Sequence, residues 1–285
     1  MTNAANLLAG VNFEQLTDQT IIQAGGGRDL LPTGRALVRP YMYIEVGNHI
    51  ENFNGKPKPA APHFHLGFKV VGGVGKNEDG KVEKFVTSEE FLPTLRLPFK
   101  TQLAFTEKAK APKWLAALNK VGEKKTHMAL KVMDSELYYL DISVVTKDDG
   151  KKFNQFDFAL LQPAVKFDEE TMEEVVVTAP KLKPEDMMIF LWDFATKEQW
   201  DSIHIEGTYE AQKDAAGNIT KPAKSKNRYQ EECLQAVNFE GSALQTLLGG
   251  LDGGFEMPDL SKEETTGVPE VPVVPDVPEV PNVPE

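Results

Sequence analysis

Two segments that alternate apolar and polar residues carry rings and positive charges on their polar side. These are residues 36–46 (ALVRPYMYIEV) and 63–71 (HFHLGFKVV). If both are β-strands, residues two apart share a face, and the apolar face is turned towards a core. That face carries Val38, Met42, Ile44 and Val46 on the first segment and Phe64, Leu66, Phe68 and Val70 on the second. The opposite face then carries Arg39, Tyr41, Tyr43, His63, His65 and Lys69. Aromatic rings stack on unpaired nucleobases and cations neutralise phosphates, so this pattern predicts a surface for a single polynucleotide strand.

Further positive charge follows in the middle of the chain. The segment 127–133 (HMALKVM) also alternates, which predicts a strand that adds His127 and Lys131 to the same surface. Lys124 and Lys125 lie in the loop before it. The alternative is that helices later in the chain cover Tyr41 and Tyr43, because tyrosine is also a common amphipathic core residue.

Other reactive residue types form no catalytic pattern. His63 and His65 have a spacing that metals can use, but nothing in the spacing singles out His49 or Glu45 as a third ligand. Cys233, the single cysteine, lies in a predicted helix and is interpreted as a packing residue. The sequence therefore predicts no metal site, no cofactor and no enzyme activity.

The charge of the 285-residue chain is unevenly distributed around a net −12. Residues 1–166 carry 22 Lys and Arg against 18 Asp and Glu, whereas residues 167–285 carry 9 against 25. A mildly basic body with an acidic end is compatible with nucleic-acid binding. One cysteine excludes a disulfide framework, and no apolar run approaches the length of a membrane helix, so a cytoplasmic location is expected.

The elements that must position these residues are mainly strands. Residues 1–34 form an N-terminal arm, and 35–167 predict an OB-like β-barrel of five to six strands, with a β-sandwich as the alternative. Residues 168–248 predict a mixed portion packed on the barrel, with helices at 184–200 and 228–248, the second broken at Gly241. The fold class is thus mainly β, or α+β overall, with flanking helices.

The end of the chain, 249–285, is an acidic linker and tail. From Val268 onwards it consists of six Val-Pro-x triplets, whose period of three matches the polyproline II helix. The acidic third residues are Glu270, Asp276, Glu279 and Glu285. This pattern predicts a disordered, semi-stiff acidic tether rather than a domain.

Two parts of the chain resemble a known family. ALVRPYMYIEVGNHIENFNGKPKPAAPHFHLGFKV is similar to the first strands of the single-stranded DNA-binding proteins of tailed bacteriophages. FLWDFATKEQWDSIHIEGTYE and SKNRYQEECLQAVNFEGSALQTLL resemble a C-terminal portion of the same proteins. The resemblance implies an OB-fold core, with Arg39, Tyr41, Tyr43, Phe64 and Lys69 as binding residues.

The expected function is therefore non-enzymatic binding of single-stranded DNA in phage replication or recombination, in the cytoplasm of an infected host cell. The resemblance implies that the acidic tail competes with DNA or recruits replisome proteins. A homo-oligomer is compatible with this reading, and no membrane is involved. The alternative is a phage structural or assembly protein that uses the proline-rich tail as a spacer or anchor.

Overall fold

A computed structural model describes residues 30–76, 79–85, 87–88, 92–148, 150–168, 170, 172–213 and 219–249. The predictions for the first 29 residues of the arm and for the tail from 250 onwards lie outside these residues. The strands are β1 Thr33–His49, β2 Asn52–Phe53, β3 Lys56–Pro57, β4 Ala61–Lys76, β5 Val82–Lys84, β6 Thr94–Arg96, β7 Thr101–Gln102, β8 Tyr138–Thr146, β9 Lys152–Gln155, β10 Gln162–Pro163, β11 Val165–Asp168, β12 Glu173–Val176, β13 Met188–Phe190, β14 Thr208–Tyr209, β15 Gln212–Lys213, β16 Ile219–Lys221 and β17 Lys224–Ser225. The α-helices are α1 Lys110–Leu118, α2 Met128–Asp134, α3 Lys197–Ser202, α4 Arg228–Leu234 and α5 Ala243–Gly249.

A large, mostly antiparallel sheet organises the molecule. Its main strand order is β10-β8-β1-β4-β5, and β6, β7, β9 and β13 pair at its sides. The long strand β1 pairs with β4 from Thr33↔Lys76 to His49↔Ala61. The prediction of a mainly β fold is confirmed, and the described strands form no closed barrel.

Strand β1 is central, because it also has neighbours on the side opposite β4. Residues 34–38 pair with β8, and Met42 to Ile44 pair in parallel with β13 from the C-terminal portion. The register with β4 shifts between Pro40 and Met42, where proline offers no N–H to the ladder. A proline inside a predicted strand indicates either an edge strand or a bulge. The structure has the bulge at Pro40, and the expectation of an edge strand is wrong, because β1 is paired on both sides.

The bulge changes which side chains share a face. Before it, Val38 packs in one core; after it, Tyr43 packs in that core, and Met42, Ile44 and Val46 pack in the other. The expectation that Val38, Met42, Ile44 and Val46 share a face is therefore wrong for Val38. On β4 the alternation holds, since Phe64, Leu66, Phe68 and Val70 all enter the first core as predicted.

The first core lies between the sheet and helices α1 and α2. Its rings pack closely: the Trp114 centroid lies 5.7 Å from that of Phe64 and 5.4 Å from that of Phe158. The Tyr138 hydroxyl donates to the Leu118 carbonyl at 2.7 Å and ties β8 to the end of α1.

The second core lies on the other face, under the C-terminal portion. Phe190, Trp192, Trp200 and Tyr229 pack there against the Tyr41 side of β1. The sheet is therefore covered on both faces. The alternative in which the C-terminal elements cover the tyrosines is observed for Tyr41, whereas Tyr43 is buried in the first core on the opposite face.

Three local predictions need correction. Residues 127–133 form helix α2 rather than a strand, with His127 as its N-cap: its Nδ1 accepts from the Ala129 N–H at 3.2 Å. Its buried residues are Met128, Ala129, Lys131 and Val132, and this spacing is that of a helix rather than of a strand.

In the C-terminal portion, the predicted helix 184–200 is split by β13, whose pairing with β1 outweighs local propensity. The sequence also predicts a strand over 202–209 (SIHIEGTY), but only Thr208–Tyr209 forms a strand there, β14. The break in 228–248 is confirmed, with Gly241 at φ +77° between α4 and α5.

Candidate nucleic-acid interface

The Arg39 side chain, predicted to contact phosphate, is buried and holds three backbone carbonyls together; we call this arrangement the Arg39 clamp. It is 5% exposed. Its guanidinium donates to the carbonyls of Ser135, of Ala179 at 2.6 Å and of Pro180 at 2.8 Å. These carbonyls lie after α2 and in the segment before β13, so Arg39 joins both halves of the chain to β1.

Tyr41 and Tyr43, predicted to lie together on an open face, are buried on opposite faces of the sheet. The Tyr43 hydroxyl donates to Glu45 Oε1 at 2.9 Å, and its ring packs against Phe64 at 5.5 Å. Burial raises the pKa of the Tyr43 hydroxyl far above its usual value, and the Glu45 carboxylate adds to that shift. Tyr41 is 4% exposed and lies over Gly67, where a Cβ would come within 3.0 Å of the ring.

The histidines are also internal. His65 Nε2 lies 2.7 Å from Glu232 Oε2 of α4, and its ring lies 5.0 Å from that of Tyr229. Burial lowers the pKa of His65, although Glu232 partly offsets the effect. His63 is buried, with Nδ1 2.7 Å from the Ala61 carbonyl and Nε2 3.1 Å from Glu51 Oε1. Neither ring faces solvent: His65 joins β4 to α4, whereas the His63 Nε2 has no hydrogen-bond partner among the described residues despite its closeness to Glu51.

The predicted lysines differ in exposure. Lys69 Nζ lies 2.5 Å from Asp186 Oδ1 and 5.6 Å from the centre of the Tyr41 ring. Lys131 is fully buried and donates to the Val121 carbonyl at 2.7 Å, and burial lowers its pKa. Lys125 is ion-paired with Glu123 at 2.6 Å. Lys124 is exposed to solvent. The nine predicted residues thus form no continuous open surface.

An open cleft does lie beside Tyr41, at the edge of the sheet. It has a volume of about 630 Å³ and is formed by β1, β6, the β14–β17 ribbon and the start of α4. Its lining consists of Tyr41, Thr94, Arg96, Ile205, Tyr209, Lys224, Ser225, Lys226 and Arg228. Four of these side chains are cationic, and none of the described lining residues is acidic.

Tyr209 is the accessible ring of this cleft. It is 55% exposed, and the Lys226 ammonium lies 5.5 Å from its ring centre. Strand β14 pairs with β17 at Thr208↔Ser225 and Tyr209↔Lys224, so this two-stranded ribbon brings the ring and the lysines together. The ribbon thereby presents an aromatic surface next to positive charge.

Two arginines of the cleft converge on one phenol. Arg96 Nη1 and Arg228 Nη2 both donate to the Tyr229 hydroxyl oxygen, at 3.0 and 3.1 Å. The two nitrogens are therefore about 6 Å apart at most, so two like charges lie close together. Within the described part of the chain, no carboxylate lies within ion-pairing distance of either guanidinium.

Sequence reasoning missed this cleft for a topological reason. Arg96, Tyr209 and Arg228 come from three distant segments, and only the fold brings them together. The one local signal was the density of positive charge at 221–228, where Lys221, Lys224, Lys226 and Arg228 follow one another within a few residues.

Other candidate chemistry finds no site in the described ranges. No group of three or more His, Cys, Asp or Glu residues there is placed to hold a metal ion. Cys233 is buried in the second core, as its interpretation as a packing residue predicts, and burial raises the pKa of its thiol well above the usual value. None of the described helices has the length and apolar character needed to span a membrane.

Comparison with known protein families, curated proteins and solved structures finds no match to this chain.

Proposed function

We propose that this protein binds single-stranded DNA, without catalysis, in the cleft between the sheet edge and the β14–β17 ribbon. The observation that carries the proposal is the lining of that cleft: an accessible tyrosine ring and four cations, with no acidic residue among its described walls. Cations attract the phosphates of any polynucleotide, and an exposed ring stacks on unpaired bases of any sequence.

A single strand fits this cleft better than a duplex. A base can stack on Tyr209 only if one of its faces is free, whereas bases within a duplex are covered on both faces. The resemblance of 35–72 and 189–248 to phage single-stranded DNA-binding proteins supports the same proposal. We further propose that the sheet with α1 and α2 is a partly open OB-like barrel, and that the protein acts in the host cytoplasm.

The test is a fluorescence titration of the full chain with oligo-dT at two salt concentrations. We expect Tyr209→Ala to weaken binding by about 1–3 kcal/mol, the value of one stacked base. The matched control is Phe153→Ala, because Phe153 is another partly exposed ring with a lysine, Lys147, 5.3 Å from its centre, but lies outside the cleft. Equal affinities for the two variants and the wild type would contradict the proposal.

One observation favours the alternative of a structural or assembly protein. Phe99 and Phe105 are 79% and 75% exposed, and large apolar side chains at a surface are typical of protein contacts. That function predicts no affinity for oligo-dT at low salt, together with self-association that Phe99→Ser and Phe105→Ser abolish.

A further inference from the structure

The two arginines that share the Tyr229 hydroxyl leave hydrogen-bonding capacity unused. Each guanidinium has five N–H groups, and the bonds to Tyr229 use one from each. The Arg228 Nε is buried and has no hydrogen-bond partner. Glu232, one turn later on the same helix, forms no ion pair with Arg228: its Oε2 lies 2.7 Å from His65 Nε2, although the Arg228 charge contributes to lowering the pKa of this carboxyl.

More donors line the same cleft. Lys226 and the hydroxyls of Thr94 and Ser225 line the cleft together with both arginines. The neutral phenol of Tyr229 holds the guanidinium groups in place, but it does not neutralise their charge. A site made of donors, with two positive charges that form no direct ion pair among the described residues, is complementary to an oxyanion with several acceptor oxygens.

We propose that Arg96 and Arg228 form a specific phosphate-binding site that fixes one phosphate of the bound nucleic acid. This inference deepens the proposed function and rests on it for the identity of the ligand. A phosphate presents oxygens in several directions, so it can accept from both guanidiniums at once while Lys226 approaches a third oxygen. The fixed phosphate then places the neighbouring base beside Tyr209.

The same chemistry could come from an internal phosphodiester, from a terminal phosphate or from free phosphate. The experiment therefore uses four probes on the full-length chain: oligo-dT, oligo-dT with a 5′-phosphate, an abasic oligomer of equal length, and inorganic phosphate. The abasic oligomer keeps the phosphates but removes the bases, so it separates this site from stacking on Tyr209.

We expect Arg96→Gln and Arg228→Gln each to weaken binding of oligo-dT and of the abasic oligomer by about tenfold. Loss of one phosphate contact also reduces the slope of log affinity against log salt by about 0.7. The matched control is Arg35→Gln, which removes an arginine that is paired with Asp141 at 2.9 Å and lies outside the cleft. Arg228→Lys keeps the charge but not the fork, so it should retain the salt slope and lose part of the affinity.

The outcomes separate the two proposals. If the wild type binds oligo-dT and the Arg96 and Arg228 variants match Arg35→Gln, the phosphate site is refuted and the function stands. If the wild type binds no oligomer, but inorganic phosphate raises its melting temperature and does not raise that of Arg228→Gln, the site stands and the function fails. A tighter complex with 5′-phosphorylated oligo-dT identifies a terminal phosphate as the source, and equal affinities identify an internal one. Far-UV circular dichroism of each variant verifies folding, and Arg228→Lys supplies the test if Arg228→Gln does not fold.

Discussion

The substitution Arg39→Met separates a structural role of this arginine from the phosphate contact that the sequence suggested. Methionine keeps much of the apolar stem but removes the guanidinium. Three backbone carbonyls, those of Ser135, Ala179 and Pro180, then lose their donor. The Arg39–Ser135 bond is buried, and the other two are partly buried.

The expected cost follows from this burial. An unsatisfied buried acceptor costs about 1–3 kcal/mol, and the two partly buried ones recover much of their loss by hydration. We therefore expect the free energy of unfolding to fall by roughly 2–5 kcal/mol. For a chain of this size that corresponds to a melting temperature lower by roughly 5–15 °C.

The assay is urea unfolding followed by far-UV circular dichroism, together with an oligo-dT titration in the absence of urea. Lys124→Met is the matched control, since Lys124 is exposed and its replacement should change stability by less than about 0.5 kcal/mol. The folded Arg39→Met protein should bind oligo-dT like the wild type. An unchanged urea midpoint combined with a large loss of affinity would refute the clamp and restore Arg39 as a phosphate contact.

Two further perturbations test the packing of the C-terminal portion on the sheet. Gly47→Ala should lower the free energy of unfolding in urea by roughly 2–4 kcal/mol, because Gly47 has φ +77° and a Cβ there would lie 2.7 Å from both Trp192 and Ala236. The control is Gly55→Ala, at φ +74° with nothing within 4 Å, which should cost only the strain of the positive φ. Equal losses for the two variants would contradict the contact of Gly47 with Trp192 and Ala236. Acidification should lower the urea midpoint as the pH falls through about 6.5. Burial keeps the pKa values of His49 and His65 below the value of a histidine in the unfolded chain, so the unfolded chain binds more protons than the folded state in this range. His65→Gln should flatten this pH dependence, and a midpoint that is constant between about pH 7.5 and 5.5 would argue against the role of these histidines.

Strands were predictable from the sequence where the alternation of apolar and polar residues is not interrupted by a bulge. Segments 36–46 and 63–71 lie within β1 and β4 as their alternation predicts. Alternation on β4 identified the core face correctly because no bulge interrupts Phe64 to Val70 in the first core. The bulge at Pro40 was foreseeable, but its effect on the register of Tyr43 depended on pairing with β4.

The candidate site was not predictable in the same way. Alternation distinguishes a polar from an apolar face, but it does not show whether another part of the chain covers the polar face. Tyr41 and His65 lie under α4 and its neighbours, which are more than 150 residues later in the sequence. The cleft lining depends on the same long-range packing, so only its positive charge at 221–228 was visible in the sequence.

The elements that cover the second face of the sheet come late in the sequence, which has a consequence for the synthesis of the protein. The ribosome completes β1 and β4 long before it releases α4, since about 150 residues separate Tyr229 from Lys76. At about 5–20 residues per second, the second face of the nascent sheet waits roughly 8–30 s for its cover. During that interval Met42, Ile44 and Val46 remain unburied on a partly assembled sheet, which makes the growing polypeptide a substrate for chaperones that hold exposed apolar strands.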